Sequence, residues 1–260
     1  MKQIISRKNK RLILVTNDDG ISSKGLRYLI ELIKEYGDIY VVAPELPNSG
    51  KSHSVTINYP LRYSVISEQE GYCEYCCSGT PVDSVKLAFD RILPRKPDFV
   101  ISGINHGSNS SINLIYSGTM GAVIEAAMCN IPGVGFSLLN YSKDADFSHC
   151  DVYIKKILEE FFKNGLSEYT CLNVNIPASN IKGIKVCRQA RGMWVERFEE
   201  RIDPHNEKYY WMRGEFVNLD KGTDSDEYAL SNNYISTVPI QLDMTNYKML
   251  KNIEQWDLKI

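Results

Sequence analysis

Residues 11–20 read Arg-Leu-Ile-Leu-Val-Thr-Asn-Asp-Asp-Gly, an apolar run that ends in two adjacent carboxylates and a glycine. Since a helix-like segment follows directly, this stretch predicts a buried strand, a turn and a helix. Asp18 and Asp19 then lie at the carboxyl end of the strand, where open α/β sheets bind their ligands. Two carboxylates this close repel each other unless a proton or a cation separates them.

Apolar strand-like runs alternate with amphipathic helix-like segments along the next 160 or so residues, which is typical of a doubly wound α/β fold with a mostly parallel sheet. A β–α–β order implies a right-handed crossover, so the first two strands end on the same edge of the sheet. The predicted strands are 12–17, 39–43, 98–102, 131–139, 171–177 and 234–239. Residues 54–77 are expected to form a hairpin or an extended excursion. The predicted helices are about 22–36, 82–93, 116–130, 151–164 and 245–256.

The organisation divides into three parts. We expect residues 1–10 to form a basic arm, residues 11–180 to form the main α/β domain, and residues 181–260 to form an aromatic and charged extension or dimerisation arm. The formal charge of −2 gives no general attraction to nucleic acid or to an anionic membrane. The seven cysteines, without a secretory signal, are expected to be reduced thiols in a cytoplasmic protein, and no apolar stretch predicts a membrane span.

Polar side chains follow three of the predicted parallel strands. They are Asp18 and Asp19 after the first strand, Ser49 after the second, and Asn105 after the strand at 98–102. Two carboxylates, a hydroxyl and a side-chain amide form an all-oxygen set, which suits Mg²⁺ or Mn²⁺ better than zinc. The alternative is that one of the two aspartates only caps the helix that follows it.

A second polar cluster, Ser117-Gly118-Thr119, begins a predicted helix. Free backbone N–H groups, two hydroxyls and the positive end of the helix dipole form a cradle for a phosphate group, although simple capping by Ser117 or Thr119 explains the same residues. A cation and an anion cradle together indicate a phosphate ester site. His106 directly follows Asn105, and it is either a general acid or substrate contact, or a locally bonded loop histidine.

Several collinear motifs resemble the survival protein SurE family, whose members are metal-dependent 5′-nucleotidases. These motifs are residues 13–20 (Ile-Leu-Val-Thr-Asn-Asp-Asp-Gly), 42–44 with 48–50, 78–85 (Ser-Gly-Thr-Pro-Val-Asp-Ser-Val), 102–105 (Ser-Gly-Ile-Asn), 116–119 (Tyr-Ser-Gly-Thr), 173–177, 210–211, 222–224 and 234–239. The resemblance covers nearly the whole chain. Its loop around Ser49 departs from the family, because the usual arginine-rich stretch is absent.

The resemblance implies a Rossmann-like domain whose C-terminal extension is exchanged between subunits, giving homodimers or dimers of dimers. It implies one divalent ion per subunit, bound by Asp18, Asp19, Ser49 and Asn105, with Asp18, Asp19 and Asn105 also catalytic. It places the phosphate contacts on Asn17, Gly107, Asn109, Ser117, Gly118 and Thr119.

The implied reaction is hydrolysis of nucleoside 5′-monophosphates to nucleoside and phosphate, with 3′-monophosphates and short polyphosphate as further candidate substrates. The ligand is then a small nucleotide, not a nucleic-acid duplex or a membrane. A non-catalytic, nucleotide-binding regulatory module that uses the same cleft is the alternative. It would bind the same ligand and release it unchanged.

Overall fold

The structure, a computed structural model, describes residues 10–258. Apart from Lys10, the predicted basic arm lies outside the described residues. The strands are β1 (Leu12–Thr16), β2 (Asp38–Pro44), β3 (Tyr63–Gln69), β4 (Tyr72–Cys77), β5 (Phe99–His106), β6 (Gly133–Leu138), β7 (Thr170–Ile176), β8 (Gly183–Val186), β9 (Gly192–Ile202), β10 (Lys208–Asn218) and β11 (Tyr234–Gln241). The helices are α1 (Lys24–Ile33), α2 (Pro81–Leu87), α3 (Asn113–Tyr116), α4 (Gly118–Met128), α5 (Asp151–Asn164), α6 (Asp226–Ser231) and α7 (Tyr247–Ile253).

Nine of these strands form one sheet in the order β3-β4-β2-β1-β5-β6-β7-β11-β8. The six strands from β4 to β7 run parallel to one another, whereas β3 and β11 pair antiparallel with their neighbours β4 and β7. The predicted α/β class and mostly parallel, doubly wound sheet are therefore confirmed. The excursion at 54–77 contains the β3–β4 hairpin, which extends the sheet on one side.

Both faces of the sheet are covered, as the near-continuous apolar strands require. Alternate residues of β1 point to opposite faces: Ile13 and Val15 pack with α1 and α5, whereas Leu12 and Leu14 pack with α2 and α4. Helix α1 is capped by Ser23, whose hydroxyl accepts a hydrogen bond from the backbone N–H of Leu26.

Some predicted boundaries are wrong. The α-helix predicted at 82–93 ends at Leu87, and residues 88–92 continue as a π-helical stretch. The closing helix predicted at 245–256 covers only Tyr247–Ile253. Two short helices, α3 and α6, were not predicted from the sequence. Both lack the length over which an apolar period can be detected.

The segment after residue 180 does not leave the sheet as a whole. Strands β8 and β11 pair with each other, and β11 also pairs with β7, so the predicted boundary falls between strands of one sheet. Only β9 and β10 form a separate two-stranded antiparallel hairpin, with many exposed apolar side chains. Within residues 10–258, none of the helices is both long and apolar enough to cross a membrane.

Candidate active site

The predicted site lies where the order of the strands reverses. From β1 the chain proceeds outward through β2 and β4, and from β5 it proceeds in the opposite direction through β6 and β7. The adjacent strands β1 and β5 are parallel, with Thr16 beside Ser102 near their carboxyl ends. Loops that leave such a pair on opposite faces open a crevice, which is the usual ligand site of an open α/β sheet.

Asp18 is buried at this crevice and lies against the N-terminus of α4. The Thr119 hydroxyl donates a hydrogen bond to Asp18 Oδ1. A Cβ added to Gly118 would lie 2.8 Å from Asp18 Cβ, so only glycine permits this approach. Burial, followed by repulsion from Asp19, raises the pKa of Asp18 to about 6 despite these bonds. Asp18 therefore does not cap α1, the helix that follows it, but is the anion at the start of α4.

Asp19 links the two central strands and is more accessible than Asp18. Its Oδ2 accepts a hydrogen bond of 3.1 Å from the backbone N–H of His106, at the end of β5. Burial raises the pKa of Asp19 as well, against the lowering effect of that bond. The turn that brings both carboxylates to one edge ends at Gly20, whose φ of 98° is readily adopted by glycine.

The loop that carries Ser49 is fastened to both of these elements. The backbone N–H of Asn48 donates to the carbonyl oxygen of Asp18 at 2.7 Å, and that of Ser52 donates to the carbonyl oxygen of Tyr116 at 3.0 Å. The exposed Ser49 therefore lies in a segment held between the exit of β1 and the start of α4. This brings the third predicted strand exit to the same crevice.

His53, in the same loop, does not join the aspartates. Its Nε2 lies 3.0 Å from Glu125 Oε2, and Lys86 donates to the other oxygen of Glu125 at 2.6 Å. Burial raises the pKa of Glu125, but its bonds to His53 and Lys86 outweigh that effect and lower it. His53 thus anchors the loop to α4.

Asn105 and His106 complete the β5 side of the crevice. Asn105 is buried, and its Nδ2 donates to the carbonyl oxygen of Gly107 at 2.9 Å, which leaves the amide oxygen as the group that can bind a cation. The His106 Nδ1 lies 2.9 Å from the carbonyl oxygen of Ser142. Because a carbonyl can only accept, Nδ1 carries the proton, and a neutral His106 presents Nε2 as an acceptor.

The donor chemistry fits a hard divalent cation. Among residues 10–258, no lysine or arginine forms an ion pair with Asp18 or Asp19, although both carboxylates are wholly or largely buried. The same residues contain no cluster of three His, Cys, Asp or Glu side chains that would suit a metal such as zinc. The amide oxygen of Asn17 is also buried without a partner in the described part of the chain. A cation bound by carboxylate, hydroxyl and amide oxygens would relieve this unpaired negative charge.

The predicted phosphate contacts are occupied by bonds within the protein. Asn17 donates to Gly20 and Ser23, and the backbone N–H of Gly107 donates to Leu138 at 2.8 Å. The Ser117 hydroxyl accepts a hydrogen bond from the backbone N–H of Met120 and caps α4. The Thr119 hydroxyl donates its hydrogen bond to Asp18. Their contacts with phosphate stay predictions.

Asn109, the remaining predicted phosphate contact, belongs to a buried amide network that the sequence did not reveal. Its backbone N–H donates to Asn175 Oδ1 at 2.7 Å, and its Nδ2 donates to the Ser137 hydroxyl at 2.8 Å. Asn173 donates in turn to the carbonyl oxygen of Asn109 at 2.8 Å. A sequence pattern could have indicated this network, because Asn173 and Asn175 place two amides on one face of an otherwise apolar strand, and buried amides need hydrogen-bond partners.

Known proteins share this arrangement of strands and motifs. Residues 13–196 match the family described as Survival protein SurE. The chain belongs to the SurE family. A protein named 5′-nucleotidase SurE from Flavobacterium psychrophilum is 54% identical, over 96% of this chain and 99% of that protein. One of the same name from Christiangramia forsetii is 53% identical, over 96% and 98%.

The fold of this SurE-family chain also resembles a solved structure. The SurE protein from Aquifex aeolicus has a TM-score of 0.79 at 37% identity, over 94% of this chain and 98% of that one. The similarity extends beyond the α/β part and includes residues after 180, which is why the resemblance noted in the sequence holds for nearly the whole chain.

Proposed function

We propose that this chain is a metal-dependent 5′-nucleotidase, which hydrolyses nucleoside 5′-monophosphates to nucleoside and phosphate. The observation that carries the proposal is the pair of adjacent carboxylates at the reversal of strand order, Asp18 buried and Asp19 partly buried, with no lysine or arginine paired to either within residues 10–258. The relatives named 5′-nucleotidase SurE support an enzyme over the non-catalytic regulatory module. Activity on 3′-monophosphates and polyphosphate belongs to the same proposal as a secondary range.

The proposed metal ligands are Asp18 and Asp19 after β1, Ser49 after β2 and Asn105 at the carboxyl end of β5. We propose one Mg²⁺ or Mn²⁺ per subunit, because all four side chains offer oxygen atoms. Such an ion would polarise the phosphoryl oxygens and lower the pKa of a bound water.

The two aspartates differ in what surrounds them, and this suggests different roles. Asp18 is enclosed by Thr119 and Gly118, so its carboxylate is fixed in place as a ligand. Asp19 is only partly buried, and its carboxylate accepts a hydrogen bond from the backbone N–H of His106. We therefore assign to Asp19 the orientation of the attacking water and the acceptance of its proton.

The test is release of phosphate from AMP by the purified protein, with added Mn²⁺ or Mg²⁺ and with chelator. We expect turnover that requires the metal. Asp19→Asn should abolish turnover and leave the folded structure intact by circular dichroism. Full activity of Asp19→Asn in metal-supplemented buffer would contradict the assignment, and AMP binding without hydrolysis in every metal would favour the regulatory module.

Assembly and location are further parts of the proposal. The β9–β10 hairpin exposes Met193, Phe198 and Ile202, and an exposed apolar surface of this kind favours exchange of residues 181–260 between subunits in a homodimer or a dimer of dimers. All seven cysteines are free thiols, which supports a cytoplasmic setting.

A further inference from the structure

A cavity of about 390 Å³ lies between the loop after β2, the helix α3 and the β9–β10 hairpin. Two of its lining residues, Gly50 and Tyr116, are the direct neighbours of Ser49 and Ser117 in the chain. The lining is therefore adjacent in the chain to the proposed ligand Ser49 and to Ser117 at the start of α4. A phosphate ester held at Asp18 would extend its remaining part into this space.

The cavity wall is aromatic and rigid on the hairpin side. Trp194 is half-buried, and its indole N–H donates to Asn113 Oδ1 in α3 at 2.8 Å. The ring of Phe216 packs against Trp194 with its centroid 6.0 Å away. These two contacts fix the indole plane, while Tyr116 and Met212 line the cavity with exposed side chains. A fixed indole with nearby aromatic and thioether groups is a stacking surface for a planar ring.

The charge of the lining selects what kind of group can enter. Glu196 is the charged side chain of this wall, and within residues 10–258 no lysine or arginine lines the cavity. A carboxylate repels a negatively charged group, so the cavity suits the neutral part of a substrate. The volume of the cavity, its aromatic wall and the absence of lysine and arginine from its described lining all favour a nucleoside as the group that occupies it.

We propose that this cavity is the nucleoside subsite of the active site, in which the nucleobase stacks on Trp194 and contacts Tyr116 and Met212. The proposal rests on the proposed phosphatase function and adds the source of its preference for nucleotides over other phosphate esters. It also assigns a role in substrate binding to the hairpin, whose strands lie far from Asp18 in sequence.

The test compares AMP with ribose 5-phosphate, which keeps the sugar and the phosphate but lacks the base. Trp194→Leu should lower kcat/KM for AMP about tenfold, through KM, because stacking on an aromatic side chain contributes that much per base. Ribose 5-phosphate should change less than twofold. Trp211→Leu is the matched control, since Trp211 is an exposed tryptophan of the same hairpin that does not line the cavity, and it should leave both substrates unchanged.

Met212→Asn provides an independent variant, because this exposed side chain can be changed without disturbing the bond between Trp194 and Asn113. Selective loss of AMP turnover in either Trp194→Leu or Met212→Asn supports the subsite, and its absence in both overturns it. Calorimetric titration with adenosine, which has no phosphate, tests the subsite apart from hydrolysis: the wild type should bind it and Trp194→Leu should bind it about tenfold more weakly. A wild type that binds adenosine but releases no phosphate from AMP would refute the proposed function alone.

Discussion

Replacing Asp18 by asparagine should stabilise the metal-free protein at neutral pH while abolishing its activity. The pKa of Asp18 rises from its ordinary 3.8 to about 6 in the folded state, mainly through burial. At roughly 1.4 kcal/mol per pKa unit, the ionised carboxylate costs the folded state about 3 kcal/mol at pH 7. Asparagine removes that charge, so about 3 kcal/mol is the upper limit of the gain.

The sign of the pH dependence follows from the raised pKa. Between about pH 4 and pH 6 the folded state of the wild type binds more protons than the unfolded state, so its stability falls as the pH rises through this window. Below pH 4 Asp18 is protonated in both states, and the advantage of Asp18→Asn should vanish. Urea titration in chelator from pH 4 to pH 7 measures the free energy of unfolding of the wild type and of Asp18→Asn, and so gives the difference between them at each pH.

Added divalent metal should reverse the order of the two proteins. Metal at about 1,000 times its dissociation constant stabilises the folded wild type by about 4.1 kcal/mol, which exceeds the advantage of about 3 kcal/mol that Asp18→Asn has in chelator. Asp18→Asn, which lacks one proposed ligand, should gain little. Asp144→Asn, in an exposed loop, is the control and should follow the wild type. A variant that is less stable than the wild type at pH 7 in chelator, and equally stabilised by metal, would refute the account of Asp18 as an uncompensated buried carboxylate.

Two further substitutions test the contact between Asp18 and α4. Thr119→Val removes the hydroxyl that donates to Asp18 and should raise the Mn²⁺ concentration needed for half-maximal phosphate release about 10-fold to 100-fold. Thr119→Ser keeps the donor, so its Mn²⁺ requirement should stay near that of the wild type. Equal Mn²⁺ requirements in the wild type and both variants would contradict this role of Thr119. Gly118→Ala places a Cβ 2.8 Å from Asp18 Cβ and should lower kcat for AMP at least about tenfold by displacing the carboxylate, which unchanged kinetics would disprove.

The central strands of the sheet could be predicted from the sequence because a strand that is buried on both faces is a continuous run of apolar residues. Strands β1, β2 and β5 are short apolar runs closed by glycine, proline or polar residues, and their order along the chain implies parallel pairing. The short helices α3 and α6 escaped prediction because four to six residues are fixed by tertiary bonds. The Asp226 side chain, for example, accepts from the backbone N–H groups of Ser111 and Ala190, which are distant in sequence.

The candidate ligands could be predicted as a set, but their surroundings could not. Adjacent carboxylates after a buried strand are rare enough to mark a site on chemical grounds. That Asp18 turns towards the start of α4, and not towards α1, depends on Gly118 lying close enough to touch it. Such proximity comes from helix packing across the sheet, for which the sequence holds no local pattern.

The stacking surface at Trp194 also needed the structure. Trp194 lies 81 residues after Asn113, to which it donates, and the alternation of the hairpin strands only indicates which side chains share a face. Nothing in that alternation indicates that this face meets the loop after β2. The nucleoside subsite is thus a product of tertiary folding.

The asparagines of β7 tie the loop after β5 to the C-terminal half of the sheet. Asn175, which holds the backbone of Asn109, follows it by 66 residues, and Asn105 bonds to Gly107 at the start of the same loop. A nascent chain that has emerged only as far as β6 already carries all four proposed ligands, yet the loop beside them still lacks its support from β7. Metal binding would then require that β7 has been added to the sheet, so a chain that is only partly synthesised would not bind the ion.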